Sequence, residues 1–115
     1  MIIRGEVIRG AQLGRKMGFP TANIDAQNLD NIENGVYASA VVVDGNRHVA
    51  MSNIGLRPSV DGTTRLLETH LFDFDGDLYG RIIEVELLRK IRDEKRFASI
   101  DELRQQLERD ARECR

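Results

Sequence analysis

Turn-forming residues recur at short intervals along residues 1–90, and the runs between them are rich in β-branched and aromatic residues. These runs cover residues 2–8, 21–24, 35–43, 47–54, 65–72 and 79–88. Branched and aromatic side chains pack well on the pleated surface of a sheet, so each run is typical of a strand. The pattern therefore predicts an all-β body with about six antiparallel strands.

Two Asp-Gly pairs separate neighbouring runs, at Asp44-Gly45 and at Asp75-Gly76. An Asp-Gly pair between two strand-like runs is a strong hairpin signal, because the two-residue turn needs positive φ angles that glycine adopts at little cost. The sequence therefore predicts a hairpin at each pair.

The pattern changes after residue 89. Ser99 and Glu102 match a capping box, in which the serine hydroxyl and the glutamate carboxylate accept hydrogen bonds from free amides of the first helical turn. Apolar residues then recur at helical spacing, at Ile100, Leu103, Leu107 and Ala111. We expect a C-terminal helix over about residues 99–114, with this apolar face packed against the β body.

Antiparallel strands of this length must bury one face and protect their edges, and closure into a small barrel achieves both. A chain of 115 residues has the length of one ordinary domain. The predicted architecture is therefore a single all-β domain over residues 1–115. It consists of a small closed barrel over about residues 1–90 with a C-terminal helix packed on it.

Composition argues against some partners. The net charge of −2 has its signs interspersed, and the chain holds no Trp, two Tyr and four Phe, so a nucleic-acid-binding barrel would lack a basic stripe and stacking platforms. Apolar runs such as residues 40–43 are far shorter than the roughly twenty residues of a membrane span. The single cysteine, Cys114, has no intrachain partner and suits a reducing compartment. We expect a cytoplasmic protein that binds neither nucleic acid nor membrane.

The most unusual segment is residues 10–23, where three glycines and two cations precede Pro-Thr-Ala-Asn. Gly10, Gly14 and Gly18 let the backbone approach a ligand closely, and successive amides in a turn can form an anion-binding nest. Such a loop suits phosphates, although the Gly-Lys-Ser/Thr ending of a P-loop is absent. Glycine content alone is also typical of a flexible barrel loop.

Alternation along a strand puts the side chains of Thr21 and Asn23 on the same face. A hydroxyl and an amide oxygen at this spacing can both meet one hard cation, and neutral oxygen ligands suit Mg²⁺ when substrate phosphates balance its charge. The alternative is a polar strand edge that faces solvent.

A second alternation covers residues 66–72. Glu68 and His70 share one face, whereas Leu67, Thr69 and Leu71 share the other, which is typical of a core face. A positioned carboxylate can accept the proton of an attacking hydroxyl, so Glu68 is a candidate general base. An exposed Glu-x-His pair without a catalytic role is the alternative.

Residues 91–97 form a charged run between the last strand and the helix, which is ordinarily a solvated connector. Phe97 is the exception. An aromatic residue just before a capping box can act as a hydrophobic staple or offer a surface to a planar ring. Composition leaves both uses open.

Six motifs follow one another along the chain: Gly-Arg-Lys-Met-Gly-Phe-Pro-Thr-Ala-Asn (14–23), Gly-Val-Tyr-Ala (35–38), Asn-Ile-Gly-Leu-Arg-Pro (53–58), Leu-Glu-Thr-His (67–70), Asp-Leu-Tyr-Gly (77–80) and Lys-Arg-Phe (95–97). In this order they resemble the riboflavin kinase family, including the C-terminal kinase module of bacterial bifunctional riboflavin kinase/FAD synthetases. The resemblance spans almost the whole chain and implies a Greek-key barrel with a C-terminal helix.

The resemblance also implies roles for the residues that match the family's motifs. It implies Glu68 as the catalytic base, and Thr21 and Asn23 as magnesium ligands. The residues implied at the nucleotide site are Gly10, Gly14, Arg15, Gly18, Thr21, Asn23, Leu71, Asp73 and Tyr79. Those implied at the flavin site are Arg92, Lys95 and Phe97. Asp93 stands where relatives commonly carry proline, a change that could loosen the flavin loop.

The activity that the resemblance implies is Mg²⁺-dependent transfer of the γ-phosphoryl group of ATP to the 5′-hydroxyl of riboflavin, giving FMN and ADP. An FMN adenylyltransferase domain N-terminal to this module, in a longer parent protein, is the implied protein partner. The alternative is a barrel module that binds flavin or nucleotide without catalysis. Intact Thr21, Asn23 and Glu68 favour the kinase.

Overall fold

The computed structural model describes residues 1–9, 18–59 and 62–115. Within these segments the chain forms six strands and one helix: β1 (Ile2–Glu6), β2 (Ala22–Asp25), β3 (Gly35–Val43), β4 (Asn46–Ser59), β5 (Gly62–Leu71), β6 (Ile82–Arg92) and α1 (Ile100–Cys114). The strands form one sheet in the order β1-β6-β3-β4-β5-β2, and every neighbouring pair is antiparallel. The predicted all-β body with a C-terminal helix is confirmed.

The order β6-β3-β4-β5 within this sheet is a Greek key, because the fourth strand of the motif returns beside the first. The sheet curves until its two end strands almost meet. The amide of Ile8, just after β1, donates to the carbonyl of Asn23 in β2 at 2.7 Å. At Gly5 an added Cβ would lie 2.6 Å from Cγ2 of Ile24, so only glycine allows this approach. The barrel is therefore nearly closed, as predicted.

The Asp44-Gly45 hairpin is confirmed: it joins β3 to β4, with φ angles of 52° and 81°. The hairpin predicted at Asp75-Gly76 is wrong. This pair lies between β5 and β6, which are not neighbours, because β5 pairs with β4 and β2 while β6 pairs with β3 and β1. A turn signal reports that the chain changes direction and not which strands pair. The last strand accordingly begins at Ile82 rather than at residue 79.

The barrel interior is filled by aliphatic side chains from several strands, including the fully buried Val41, Ile54, Leu67, Ile83 and Val85. Complete burial of such a side chain stabilises the fold by roughly 1.5–3 kcal/mol. Within the described segments, no helix is long and apolar enough to cross a membrane.

Helix α1 covers the outer face of the barrel, where Leu107, Ala111 and Cys114 pack towards Val36 and Met51. The serine cap is confirmed, since the hydroxyl of Ser99 accepts from the amide of Glu102 at 3.2 Å, whereas the Glu102 carboxylate accepts from the amide of Ala98, at 2.9 Å, rather than from that of Ser99. The expectation that Ile100 belongs to the packed face is wrong, because this residue is 61% exposed.

Candidate functional site

A cavity of about 580 Å³ lies on the outer face of the sheet, next to the segment that joins β6 to α1. Asn53, Arg57 and Glu68 line it from β4 and β5, whereas Lys95 and Phe97 line it from that segment. The predicted base and the predicted flavin residues therefore border one space, although Lys95 follows Glu68 by 27 positions in the sequence.

Strand register explains why these residues meet. Asn23 in β2 pairs with Glu68 in β5, and Glu68 pairs with Asn53 in β4. Asn53 pairs with Val36 in β3, which pairs with Arg92 in β6. Directly paired residues of antiparallel strands present their side chains on the same face. One row across five strands thus joins a predicted magnesium ligand, the predicted base and a predicted flavin residue.

Glu68 is partly buried and is held by an arginine that the sequence did not single out. Its Oε1 accepts from Nε of Arg57 at 2.9 Å, and Nη2 of the same guanidinium lies 2.6 Å from this oxygen. Nη1 of Arg57 lies 3.3 Å from Oε1 of Glu94. Among the described residues nothing donates to Oε2 of Glu68, so this oxygen is free to meet a ligand.

Asn23 is 4% exposed, and its Oδ1 is buried with no hydrogen-bond partner among the residues that the structure describes. A buried acceptor without a partner costs free energy, so its presence indicates a group that completes it. Thr21 precedes β2 by one residue and lines both the main cavity and a second cavity of about 170 Å³ at the barrel mouth. A neutral amide oxygen and a hydroxyl fit a hard divalent cation.

The second cavity brings four of the predicted nucleotide residues together: Thr21, Asn23, Leu71 and Tyr79. The ring of Tyr79 is half-exposed, and Cζ of Arg9 lies 4.3 Å from its centroid. An exposed ring beside a guanidinium can stack on a planar base while the cation meets an anion.

Two other predicted nucleotide residues lie beside this cavity rather than in its lining. Gly18 and Asp73 border a neighbouring open depression of about 710 Å³, where Oδ1 of Asp73 accepts from Nη2 of Arg115 at 2.9 Å. Gly10, Gly14 and Arg15 lie outside the described residues.

His70 fastens the entry to β2 onto β5. Its Nδ1 donates to the carbonyl of Pro20 at 2.8 Å, and the rings of Phe19 and Phe72 contact it edge-on with centroids 5.2 Å away. Burial lowers the pKa of His70 below its ordinary value, which favours the neutral ring that this apolar contact requires. The histidine therefore supports one wall of the cavity that it lines together with Glu68.

Two cations approach the ring of Phe97, in the segment between β6 and α1. Cζ of Arg92 lies 5.8 Å and Nζ of Lys95 lies 5.7 Å from its centroid. The guanidinium of Arg92 is itself bound to Asp110 of α1, with Nη2 2.8 Å from Oδ2. Arg92, Lys95 and Phe97 are therefore brought together, as the resemblance implied.

Asp93, the residue expected to loosen the loop after β6, is held by an ion pair. Its Oδ1 lies 2.5 Å from Nζ of Lys90. Hydrogen bonding between the two raises the pKa of Lys90 and lowers the pKa of Asp93. This ion pair restrains the start of the segment after β6.

Sequence reasoning assigned no role to Arg57, Glu94 or Asp110. Arg57 belongs to the Asn-Ile-Gly-Leu-Arg-Pro motif, and the following Pro58 indicates a constrained backbone. Its partner, Glu68, lies on another strand. Asp110 occupies a helix position that looked solvated and is 1% exposed. Only the tertiary arrangement could reveal these contacts.

Comparisons with known proteins identify the family and the fold. The family model described as Flavokinase, riboflavin kinase, matches residues 1–115. The chain is 46% identical over 110 residues to the RNA-binding riboflavin kinase RibR of Bacillus subtilis, covering 95% of this chain and 47% of that protein. It is 49% identical over 109 residues to the bifunctional riboflavin kinase/FMN adenylyltransferase of Escherichia coli, covering 94% and 35%. The chain thus spans less than half the length of these relatives.

Two solved structures share the fold. The crystal structure of a macrolide-efflux protein from Streptococcus pneumoniae matches with a TM-score of 0.81 and 36% identity, covering 96% of this chain and 37% of that one. The crystal structure of riboflavin kinase from Trypanosoma brucei matches with a TM-score of 0.68 and 25% identity, covering 98% and 76%. The six-stranded barrel with its C-terminal helix is therefore shared with a riboflavin kinase.

Proposed function

The chain belongs to the riboflavin kinase family, and on that premise we propose that it transfers the γ-phosphoryl group of ATP to the 5′-hydroxyl of riboflavin, giving FMN and ADP. One observation carries the proposal. Thr21 lies on the wall between the two cavities, one bordered by Glu68 and Phe97 and the other by Tyr79. Two adjacent cavities that share a wall suit a reaction in which one substrate transfers a group directly to the other.

In this proposal riboflavin occupies the cavity of about 580 Å³ that Glu68 and Phe97 border. Its flat ring lies against Phe97, where Arg92 and Lys95 offer cations to the polar edge of the ring. The ribityl chain then runs along the sheet face towards Glu68. Because phosphoryl transfer depends chiefly on positioning and charge stabilisation, holding the hydroxyl in line with the γ-phosphorus is the main task of these residues.

Glu68 orients the ribityl hydroxyl and accepts its proton. Its Oε2, which has no donor among the described residues, is the oxygen available for this bond while Oε1 stays with Arg57. In a loose transition state the leaving bond breaks ahead of attack, so the proton moves late. A positioned general base nevertheless contributes about 10²- to 10⁴-fold to the rate.

ATP spans the smaller cavity and the adjoining open depression that Gly18 and Asp73 border, with its base on Tyr79 and its phosphates near Arg9. Riboflavin kinases use ATP and a divalent metal, and we assign the metal here as Mg²⁺. The hydroxyl of Thr21 and the partnerless Oδ1 of Asn23 would hold it. The bound metal supplies neutralisation of the charge on the phosphoryl oxygens. The other nucleotide residues stay predictions that mutation can test: Gly10, Gly14, Arg15, Gly18, Leu71 and Asp73.

The proposed surroundings follow from the relatives and from composition. Relatives named riboflavin kinase/FMN adenylyltransferase favour a neighbouring FMN adenylyltransferase domain in a longer protein. RibR is named RNA-binding, and this chain covers 47% of it. For this barrel we propose no nucleic-acid partner, given its charge of −2 and few aromatic residues, and a cytoplasmic location, given its single cysteine.

The test is to incubate the purified chain with riboflavin, ATP and MgCl₂ and to separate the flavins by chromatography. We expect FMN with metal and none with EDTA. Riboflavin that binds and is never phosphorylated would instead support the non-catalytic module. A gel shift with single-stranded RNA at low salt, expected to be negative, tests the nucleic-acid alternative.

A further inference from the structure

We propose that Arg57 is a positioning residue, which fixes the carboxylate of Glu68 for proton transfer and joins it to the flavin-side segment through Glu94. The inference rests on the proposed function and extends it to residues with no assigned role. It starts from an arrangement of one guanidinium between two carboxylates that come from different parts of the chain.

The contacts with Glu68 are directional. Nε of Arg57 donates to Oε1 at 2.9 Å and Nη2 lies 2.6 Å from the same oxygen, so one carboxylate oxygen is held by two nitrogens of a rigid planar fork. A glutamate without partners rotates about its last side-chain bond, and its two oxygens exchange places. Fixing Oε1 therefore fixes Oε2, the oxygen left for the substrate hydroxyl.

Arg57 is itself restrained. Its Nη1 donates to the carbonyl of Leu56 at 2.8 Å, and Pro58 follows it in the chain. The side chains of Arg57 and Glu68 are 25% and 18% exposed. Water screens a partly buried pair less than a surface pair, so the geometry is kept more firmly than in an exposed ion pair.

The link to the flavin side runs through Glu94. Its Oε1 lies 3.3 Å from Nη1 of Arg57, and its carboxylate packs over Gly55, where any larger side chain would occupy the same space. Glu94 directly precedes Lys95 and lies three residues before Phe97. The residue that orients the base thus also holds the segment that carries the proposed flavin contacts.

The test is a double-mutant cycle on kcat for FMN formation. We expect Arg57→Ala to lower kcat about 10- to 100-fold in the wild-type background, since a misplaced reacting group costs rates of this order. In the Glu68→Gln background the same change should lower kcat less than about 2-fold, because no base remains to be positioned. KM for ATP should stay within about 3-fold.

Two further variants keep the outcome decisive. Arg57→Lys retains the charge and loses the fork, so kcat should fall between wild type and Arg57→Ala, and this variant decides the matter if Arg57→Ala fails to fold. Arg47→Ala is the matched control, because it removes an exposed guanidinium that pairs only with Glu86, at 3.4 Å, among the described residues. Its kcat should equal that of wild type.

The inference and the proposed function fail in different ways. A wild-type chain that makes no FMN contradicts the proposed function, and the role of Arg57 falls with it. An active wild type with an inactive Glu68→Gln variant and a fully active Arg57→Ala variant contradicts only the inference. Equal losses from Arg57→Ala in both backgrounds would show that the arginine acts through the fold rather than through Glu68.

Discussion

The carboxylate of Asp110 in α1 is bound on both oxygens by the guanidinium of Arg92 in β6, with N–O distances of 3.0, 3.1 and 2.8 Å. Gln106 adds a donor to Oδ1 at 2.9 Å. Asp110 is 1% exposed and is the only buried residue of α1, so this charged pair connects the helix to the barrel. The same pair aims Arg92 at the proposed flavin cavity.

Removing one partner of a buried pair leaves the other charge uncompensated. We expect Asp110→Asn to lower the free energy of unfolding by about 3 kcal/mol. KM for riboflavin should rise as well, since Arg92 loses its anchor. Urea denaturation and steady-state kinetics measure the two effects. The matched variant is Asp101→Asn, which loses an exposed pair with Arg104 and should change stability by less than about 1 kcal/mol. Equal losses of unfolding free energy in the two variants would contradict the proposed connection of helix and barrel through Asp110.

The folded protein should lose stability in mild acid through His70. Burial lowers the pKa of this histidine, so the unfolded chain binds the proton more readily than the folded chain does. The stability that the neutral His70 ring contributes is fully present above the ordinary histidine pKa of about 6.5. It is lost as the pH falls through the lower pKa of His70 in the folded chain. Urea melts at pH 7.5 and 5.5 should therefore show a larger drop for wild type than for His70→Gln. Parallel drops would contradict this role.

Cys114 should be an unreactive thiol in the folded protein. Burial raises its pKa to about 11, so almost no thiolate exists at neutral pH. We expect its reaction with Ellman's reagent at pH 7.5 to be at least about 10-fold slower in the folded chain than in urea. Reaction at the same rate in both states would place the thiol in solvent.

Asn23 should favour function at the expense of stability. Its buried Oδ1 has no partner among the described residues, and such an acceptor costs about 1–3 kcal/mol. In metal-free solution we expect Asn23→Leu to unfold at a higher urea concentration than wild type, while FMN formation falls sharply and needs more Mg²⁺. A variant that loses stability and keeps its metal requirement would contradict the assignment.

The sequence predicted the elements better than their partners. Runs of β-branched residues located all six strands, and the capping box at Ser99 located the helix, because these signals are local. The wrong hairpin at Asp75-Gly76 shows the limit: a turn signal is satisfied equally by a chain that crosses to a distant strand. Ile100 fitted the helical period, yet it is exposed, because burial depends on the tertiary packing of the helix and not on its period alone.

The same limit divides the candidate site. Alternation along β5 separated Glu68 from the core residues, since this is a property of one strand. The neighbours of Glu68 could not be predicted in this way. Asn23 and Asn53 flank it through strand register, and Arg57 reaches it along the sheet face. Resemblance to a family supplied the residues of the site, whereas the structure supplies the contacts that hold them.

The most direct test of the account compares two glutamate variants in FMN formation. Glu68→Gln keeps the size and the hydrogen bond to Arg57 but removes the base, whereas Glu86→Gln changes an exposed glutamate that pairs with Arg47. We predict that kcat falls about 10²- to 10⁴-fold in the first variant and stays at the wild-type value in the second, with both folded. A Glu68→Gln variant that keeps most of the wild-type kcat would contradict the central claim.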